Sequence, residues 1–156
     1  MMNILKGVLT ACLAVFIFLL LGADGVKDVD TETIRTALLT APGIENLTEG
    51  NDHDLKRFFG IEAGDTKGYV YYRSPSIMTV DEILIVRAEN EAAAKAMETQ
   101  CEERLSVLRT NFEGYGTDQM AVIDQAILKT RGPYLFYAAS LHASDWERIF
   151  TDEVKS

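Results

Sequence analysis

The sequence predicts an α+β domain in which a four-stranded antiparallel sheet carries helices on one face, with a membrane segment before it. Two segments rich in β-branched and aromatic residues, 68–74 and 81–88, are joined by a short link that contains a proline. A second pair of such segments flanks the Arg-Gly-Pro tripeptide at 131–133, which is typical of a tight hairpin. Residues 90–112, dense in Ala, Glu and Lys, place a long helix between the pairs. The predicted element order is ααββαββα. Strands that follow one another directly in the chain favour antiparallel pairing.

Two helices are predicted before the sheet. Asp30 or Thr31 can cap the first, which stops at the Pro-Gly pair 42–43. A polar loop leads to a second, short helix within residues 52–60, which ends at its glycine.

Tyrosines dominate the first strand. Tyr69 and Tyr71 are predicted to share one face of this strand, and Tyr72 lies on the other. These tyrosines can either fill the sheet face against the helices, which is the favoured interpretation, or be exposed beside Arg73 at a protein interface. The second strand, 81–88, lacks a clean alternation of polar and apolar residues. It therefore fits a central position in the sheet.

The long helix carries one apolar stripe with spacings of three and four residues. Its members are Ala94, Met97, Cys101, Leu105, Leu108 and Phe112. This places Cys101 in the core as a free thiol, because the other cysteine, Cys12, lies in the apolar N-terminal segment.

After this helix comes NFEGYGTDQM, residues 111–120. Gly114 and Gly116 can be read either as a ligand loop or as the end of the helix followed by a turn. A phosphate loop needs glycines before a helix and a lysine or free amides aimed at the anion. We favour helix termination, with Thr117 or Asp118 capping a following turn.

The last strands are predicted at 124–130 and 134–141, on either side of the hairpin tripeptide. Ser144 or Asp145 can cap a short final helix that runs through Phe150.

The N-terminal segment is apolar from residue 7 to residue 23, follows Lys6 and precedes an acidic stretch. This pattern predicts a single span of the cytoplasmic membrane with the rest of the chain outside the cytoplasm. The length also fits a cleaved signal peptide of a secreted protein. A third alternative is a lipoprotein, because LTAC at 9–12 has the order of a lipid-attachment box. Residues 1–27 are thus an anchor or signal segment, and residues 28–156 form one extracytoplasmic domain.

Charge argues against nucleic acid as a partner. Lys6 is the only charged residue among the first 23, so the remainder holds 14 basic against 24 acidic residues. Phosphate backbones attract proteins mainly through clustered Lys and Arg.

Few residues suggest a chemical site. Asp52, His53 and Asp54 begin a helix, where acidic residues cap and favour the helix dipole, and His142 has no nearby Cys or His. Asp81 and Glu82 are adjacent in a strand and point to opposite faces, so they cannot share a proton. The serines lack a nucleophile elbow. We therefore predict no catalytic residue, no metal site and no cofactor.

Part of the chain is similar to a known family. Arg104, Leu108, Phe112, Tyr115 and Gln119, followed by ILKTRGPYLFY, resemble the C-terminal half of the bacterial family called domain of unknown function 4358. The earlier segments FFGI, YVYYRS and DEILIVRAENEAAAKAM come in the order of that family, so the resemblance covers roughly residues 30–142. It implies a small, anchored or lipid-modified extracytoplasmic protein of Gram-positive bacteria. It also implies an association with membrane-bound O-acyltransferases and a secreted partner enzyme.

The function expected from these observations is a non-catalytic interaction module of the bacterial cell envelope, which binds a partner protein or an envelope polymer. The candidate partner-binding residues are Tyr71, Arg73, Tyr115 and Gln119, expected to form one exposed patch, because aromatic and arginine side chains dominate interface energetics. The alternatives are a ligand-sensing or chaperone-like domain with a pocket between sheet and helices, an accessory to polysaccharide O-acylation, and an enzyme.

Overall fold

The computed structural model describes residues 6–7, 12–13, 15–16 and 25–156. Its strands are β1 (Thr48–Glu49), β2 (Thr66–Arg73), β3 (Glu82–Ala88), β4 (Ile127–Arg131) and β5 (Tyr134–Ala139). They form an antiparallel sheet in the order β1-β2-β3-β5-β4. The predicted antiparallel sheet is confirmed, and the four predicted strands correspond to β2 through β5, with β3 at the centre.

The sheet has a fifth strand, β1, so the predicted number of four is wrong. β1 lies in the predicted polar loop and pairs Thr48 with Arg73 and Glu49 with Tyr72. Two residues are too few to show the alternation by which a sequence indicates a strand. The pairing depends on the free edge that β2 offers.

Within residues 25–156 the α-helices fall before, between and after the strands. They are α1 (Thr31–Leu38), α2 (Asp52–Phe59), α3 (Glu91–Ala96), α4 (Glu98–Phe112), α5 (Thr117–Asp124) and α6 (Ala143–Val154). The long predicted helix is thus two helices that meet at Met97, where the backbone stays right-handed with φ −76° and ψ −12°. α5 lies where the sequence predicted only a capped turn.

Helices cover both faces of the sheet, so the prediction of helices on one face is wrong. α1 and α6 pack on one face, which we call the α1/α6 face, and α2, α3 and α4 pack on the other, the α2/α4 face. The reason lies in β3 and β5. Nearly every side chain of these two strands is buried, with Ile83 and Ile85 on the α1/α6 face and Leu84 and Val86 on the α2/α4 face. Strands with two apolar faces need a helix layer on each.

The two ends of the sheet differ in what they carry. Residues 74–81 link β2 to β3 at the end where Glu82 lies opposite Arg73 and Ala139. The β4–β5 hairpin lies at the other end, where its Gly132 approaches the side chain of Val26. Val26 also bridges to Lys155. Both ends of the domain therefore meet near the hairpin, and the 74–81 loop is on the far side.

Among the described residues, no helix has both the length and the apolarity needed to cross a membrane. The membrane segment predicted at 7–23 lies mostly outside those residues. It stays a prediction.

Candidate functional site

A cleft of about 170 Å³ opens at the sheet end that carries the 74–81 loop. The loop forms one wall, α4 forms another, and Phe58 of α2 also lines the cleft. Its lining residues are Phe58, Arg73, Ser74, Pro75, Ser76, Ile77, Thr79, Val80, Asp81, Glu82, Arg104, Leu108, Asn111 and Phe112. The cleft lies on the α2/α4 side, because Glu82 and Arg104 reach it from the strand and the helix of that side.

Short polar contacts hold the loop wall. The Ser74 amide donates to the Asp81 carbonyl at 2.7 Å, and the Ser74 and Thr79 hydroxyls lie 2.5 Å apart. The Ser76 amide donates to the Ser74 hydroxyl at 3.1 Å. The apolar residues of this loop at Ile77 and Met78 are 92% and 64% exposed.

An ion pair forms the floor of the cleft. Glu82 is buried, and its two carboxylate oxygens accept from Arg104 Nε at 3.0 Å and Nη2 at 2.8 Å. Tyr137 Oη also donates to Glu82 at 2.7 Å. Bidentate pairing of this kind fixes the planar guanidinium as well as attracting it.

Burial and charge act together on these groups. Burial lowers the pKa of Arg104, but the hydrogen bonds and charge of Glu82 outweigh it and raise that pKa above its ordinary value. Burial, assisted by the charge of Glu82, holds the pKa of Tyr137 well above its usual range. Arg104 is therefore a cation and Tyr137 a neutral donor at neutral pH.

A phenylalanine ring supports two guanidinium groups at the cleft. The Arg104 guanidinium lies 4.7 Å from the centre of the Phe58 ring, and that of Arg73 lies 5.4 Å from it. The guanidinium of Arg57, which does not line the cleft, lies 5.3 Å from the same ring centre. The ring attracts cations, so Phe58 brings these like charges to one place. Glu82 neutralises Arg104 directly and leaves Arg73 to other partners.

Among the described residues, two buried side-chain polar atoms have no hydrogen-bond partner, and both belong to β2. They are Tyr71 Oη and Arg73 Nε. Arg73 makes only long contacts, from Nη1 to the Ser74 carbonyl at 3.4 Å and from Nη2 to Asp54 at 3.6 Å. Burial raises the pKa of Tyr71, as does the charge of Glu82. Unpaired buried polar atoms are few in native proteins and point to strain or to a function.

The structure brings three of the four predicted partner-binding residues to the rim of the cleft. A hollow of about 210 Å³, lined by Met78, Phe112, Tyr115, Gly116, Thr117, Asp118 and Gln119, adjoins the cleft and shares Phe112 with it. Tyr115 is 70% exposed, and Gln119 Oε1 accepts from the Val80 amide at 2.9 Å. Arg73 lines the cleft itself.

Tyr71 is fully buried, as expected for a tyrosine that fills the sheet face against the helices, so its place in the predicted exposed patch is wrong. Tyr69 and Tyr71 do share the α2/α4 face, and Tyr72 lies on the other. The Tyr71 ring contacts Phe59 edge to face and lies under Gly50, where an added Cβ would be 2.1 Å from the ring. Alternation along the strand gave no indication that Tyr71 is covered. Phe59 of α2 and Gly50, just before α2, cover its ring.

Sequence reasoning missed the pairing of Glu82 with Arg104. Asp81 and Glu82 point apart as predicted: Asp81 accepts from Ser140 Oγ at 2.8 Å, and Glu82 faces Arg104. Arg104 stands on the apolar stripe of α4, three residues after Cys101 and four before Leu108. Two features of the sequence could have indicated this pairing. One is a charged residue on the apolar stripe of the helix, and the other is an acidic residue at the start of an apolar strand.

Other predicted features have structural roles. Asn51 caps α2 and forms a capping box with Asp54, so the cap precedes the predicted aspartates by one residue. Cys101 is buried as predicted, and burial raises the pKa of its thiol. Gly114 has φ +90°, which confirms it as the residue that ends the helix, whereas Gly116 has φ −107° and precedes α5.

A third hollow, of about 310 Å³, lies on the other side of the 74–81 loop beside Asp81, Ser140 and His142. Two of its polar side chains bond to each other: Ser140 Oγ donates to Asp81 at 2.8 Å, and it accepts from the His142 amide at 3.2 Å. These hydrogen bonds hold the end of the 74–81 loop against the residues that follow β5.

Fold and site together define an α+β domain with an antiparallel sheet between two helix layers and a small cleft at one sheet end. The chain belongs to the family described as domain of unknown function (DUF4358), whose sequence model matches residues 42–140. The match contains all five strands and every residue that lines the cleft, and it leaves α1 and α6 outside. No curated protein and no solved structure matched the chain.

Proposed function

We propose that this chain is a non-catalytic binding module of the bacterial cell envelope, and that its partner protein or polymer docks on the cleft rim. The observation that carries the proposal is the group of exposed apolar side chains there, Ile77, Met78 and Tyr115. Large exposed apolar residues gathered around a concave surface are typical of interaction sites. The acidic remainder of the surface suits a polar, soluble surround.

The chemistry of the cleft supports binding more than catalysis. Glu82 is engaged by Arg104 and Tyr137, and Asp81 by Ser140. A general base needs a carboxylate that is free to take a proton from a substrate. The carboxylates that line this cleft are already used to position their neighbours.

The size of the cleft favours a partner's side chain or chain end over a whole small molecule. Pockets for small molecules have volumes of about 300 to 1,000 Å³. The cleft, at about 170 Å³, is smaller. The space between the sheet and its helices is filled on both faces by core side chains. A sensor with a pocket between these layers is therefore the less supported alternative.

The position of the cleft fits an anchored protein whose binding end is presented outward. The described domain begins at Gly25, beside Ser156 and near the hairpin end of the sheet. A strand of seven residues separates that end from the cleft by roughly 20 Å. With residues 7–23 in the cytoplasmic membrane, as proposed, the cleft would face away from the lipid.

Site-specific photo-cross-linking of the full-length chain in intact cells tests this proposal. A photoreactive amino acid in place of Ile77 or Met78 should give a discrete adduct that protease added outside the cells removes. The matched control is Leu39, which is exposed on the α1/α6 face and should give none. Equal adducts at all three positions, or no adduct at Ile77 and Met78, would contradict the docking site.

A further inference from the structure

Arg73 has more hydrogen-bonding capacity than its surroundings use. Its Nε is buried without a partner, and its terminal nitrogens reach Ser74 and Asp54 only at 3.4 and 3.6 Å. A guanidinium carries five donors in a fixed fork. Good charge-assisted bonds to carboxylates are about 2.7 to 2.9 Å long, so neither of these contacts is a strong one.

Two of the three acidic groups around Arg73 are paired elsewhere. Glu82 pairs with Arg104 through both oxygens, and Asp81 accepts from Ser140. The third, Asp54, contacts Arg73 only at 3.6 Å and accepts from the Asn51 amide at 3.4 Å. Of the two arginines that line the cleft, Arg73 is therefore the less closely paired, and it lies beside Arg104 at the Phe58 ring.

The rest of the cleft lining is mixed. Ile77, Val80, Leu108 and Phe112 are apolar, and Ser74, Ser76, Thr79 and Asn111 are polar. The space suits one apolar side chain with polar backbone groups beside it, and a ligand that contacts Arg73 presents an anion at one end.

We propose that Arg73 receives the terminal carboxylate of a peptide chain, and that the last side chain of that peptide lies against Ile77, Val80 and Leu108. Capture of a chain end is an established mode of peptide recognition, and the planar guanidinium fork matches a carboxylate in two-point geometry. This inference rests on the proposed function and names the chemistry of its partner. A phosphate dianion would be repelled more strongly by the acidic surface than a singly charged carboxylate, and an acidic sugar lacks an apolar side chain to contact Ile77, Val80 and Leu108.

Fluorescence polarisation with a defined probe tests the inference. The probe is N-fluoresceinyl Gly-Gly-Leu with a free carboxylate, and its C-terminal amide is the comparison. We expect the acid to bind the full-length chain at least about tenfold more tightly than the amide, since a hydrogen bond to a charged group contributes about that factor. Equal binding of acid and amide, or binding of neither, overturns the inference.

Variants separate the role of Arg73 from general charge. Arg73→Gln should abolish the difference between acid and amide, and Arg73→Lys should retain only part of it, because the fork is lost. Arg87→Gln should leave it intact. Arg87 is a matched control: its side chain is 22% exposed against 31% for Arg73, it also pairs with one aspartate, Asp28, and it lies at the far end of the sheet.

Two further comparisons, competition by glucuronic acid and the Ile77 cross-link, complete the test. If glucuronic acid displaces the probe as well as the unlabelled peptide acid does, the carboxylate source is a sugar and the peptide assignment is wrong. If Ile77 gives its specific adduct while the acid shows no preference over the amide, the carboxylate inference fails and the proposed function stands. If both measurements are negative, both fail.

Discussion

Both faces of the sheet pack against a cluster of buried apolar side chains, but they differ in their polar groups. On the α1/α6 face the polar atoms of the two largest fully buried side chains are neutral and bond to the backbone: Tyr134 Oη contacts the Val29 amide and carbonyl at 2.7 Å, and Trp146 Nε1 donates to the Pro42 carbonyl at 2.9 Å. The α2/α4 face buries an ion pair, Glu82 with Arg104, and next to it the unpaired Tyr71 hydroxyl. The core on the α1/α6 face thus lacks a buried ion pair among the described residues, whereas the core on the α2/α4 face contains one.

That difference locates the specialised part of the molecule. A buried ion pair adds little net stability, because desolvation of two charges offsets most of their attraction. Such a pair next to a cleft does fix the position of side chains at the opening. The family match agrees with this division, since it contains α2 and α4 and leaves out α1 and α6.

The largest expected effect comes from breaking the ion pair. Glu82→Leu should lower the free energy of unfolding by about 3 to 5 kcal/mol, because Arg104 is left as an uncompensated buried charge. Urea unfolding of the variant and the parent, followed by circular dichroism, measures the difference.

The matched control for this change removes both charges. Glu82→Leu combined with Arg104→Met should recover most of the lost stability, since a buried pair can often be replaced by apolar residues of similar volume. A single variant that loses less than about 1 kcal/mol would mean that Arg104 finds water when Glu82 is absent, and the contrast between the faces would disappear.

A smaller effect compares one tyrosine hydroxyl on each face. Tyr134→Phe should cost about 1 to 2 kcal/mol, because Val29 loses the partner of both its amide and its carbonyl. Tyr71→Phe should leave stability within about 0.5 kcal/mol of the parent, since its hydroxyl has no partner to lose. Thermal unfolding of the two variants side by side gives the comparison. Equal losses would show that the Tyr71 hydroxyl is bonded after all.

Much of the fold was predictable because its local patterns are strong. β-Branched and aromatic runs marked β2 through β5, and the unpatterned 81–88 segment was correctly placed at the sheet centre. The same lack of alternation is typical of a strand buried on both faces, which requires helices on both sides, and the prediction of helices on one face did not use it. β1 and the break at Met97 were not predictable, because each depends on tertiary contacts more than on local sequence.

The candidate site was predictable only in part. Arg73, Tyr115 and Gln119 do lie around the cleft, since arginine and exposed aromatics near turns are natural rim residues. Tyr71 was misplaced because alternation gives the face of a side chain and says nothing about what covers that face. The pairing of Glu82 with Arg104 joins residues 22 positions apart, and no periodicity specifies it.

The smallest expected effect comes from substitutions at the cleft rim, in the turn between α4 and α5. Gly114 has φ +90° and open space around its Cα, so Gly114→Val should cost about 1 kcal/mol or more through backbone strain alone.

Gly114→Asn is the control for that strain, because asparagine tolerates positive φ, and it should cost clearly less than valine in the same thermal unfolding experiment. Gly116→Val should also destabilise, but for another reason: its φ of −107° is outside the left-handed region, and the new Cβ would lie 2.8 Å from Cδ1 of the buried Phe112 ring. Replacing Phe112 by leucine should therefore reduce the cost of Gly116→Val and leave that of Gly114→Val unchanged. If asparagine and valine at 114 are equally costly, strain does not fix the rim. If the leucine background alters both glycine variants alike, the two glycines act through one packing contact, and the rim is part of the core of its face.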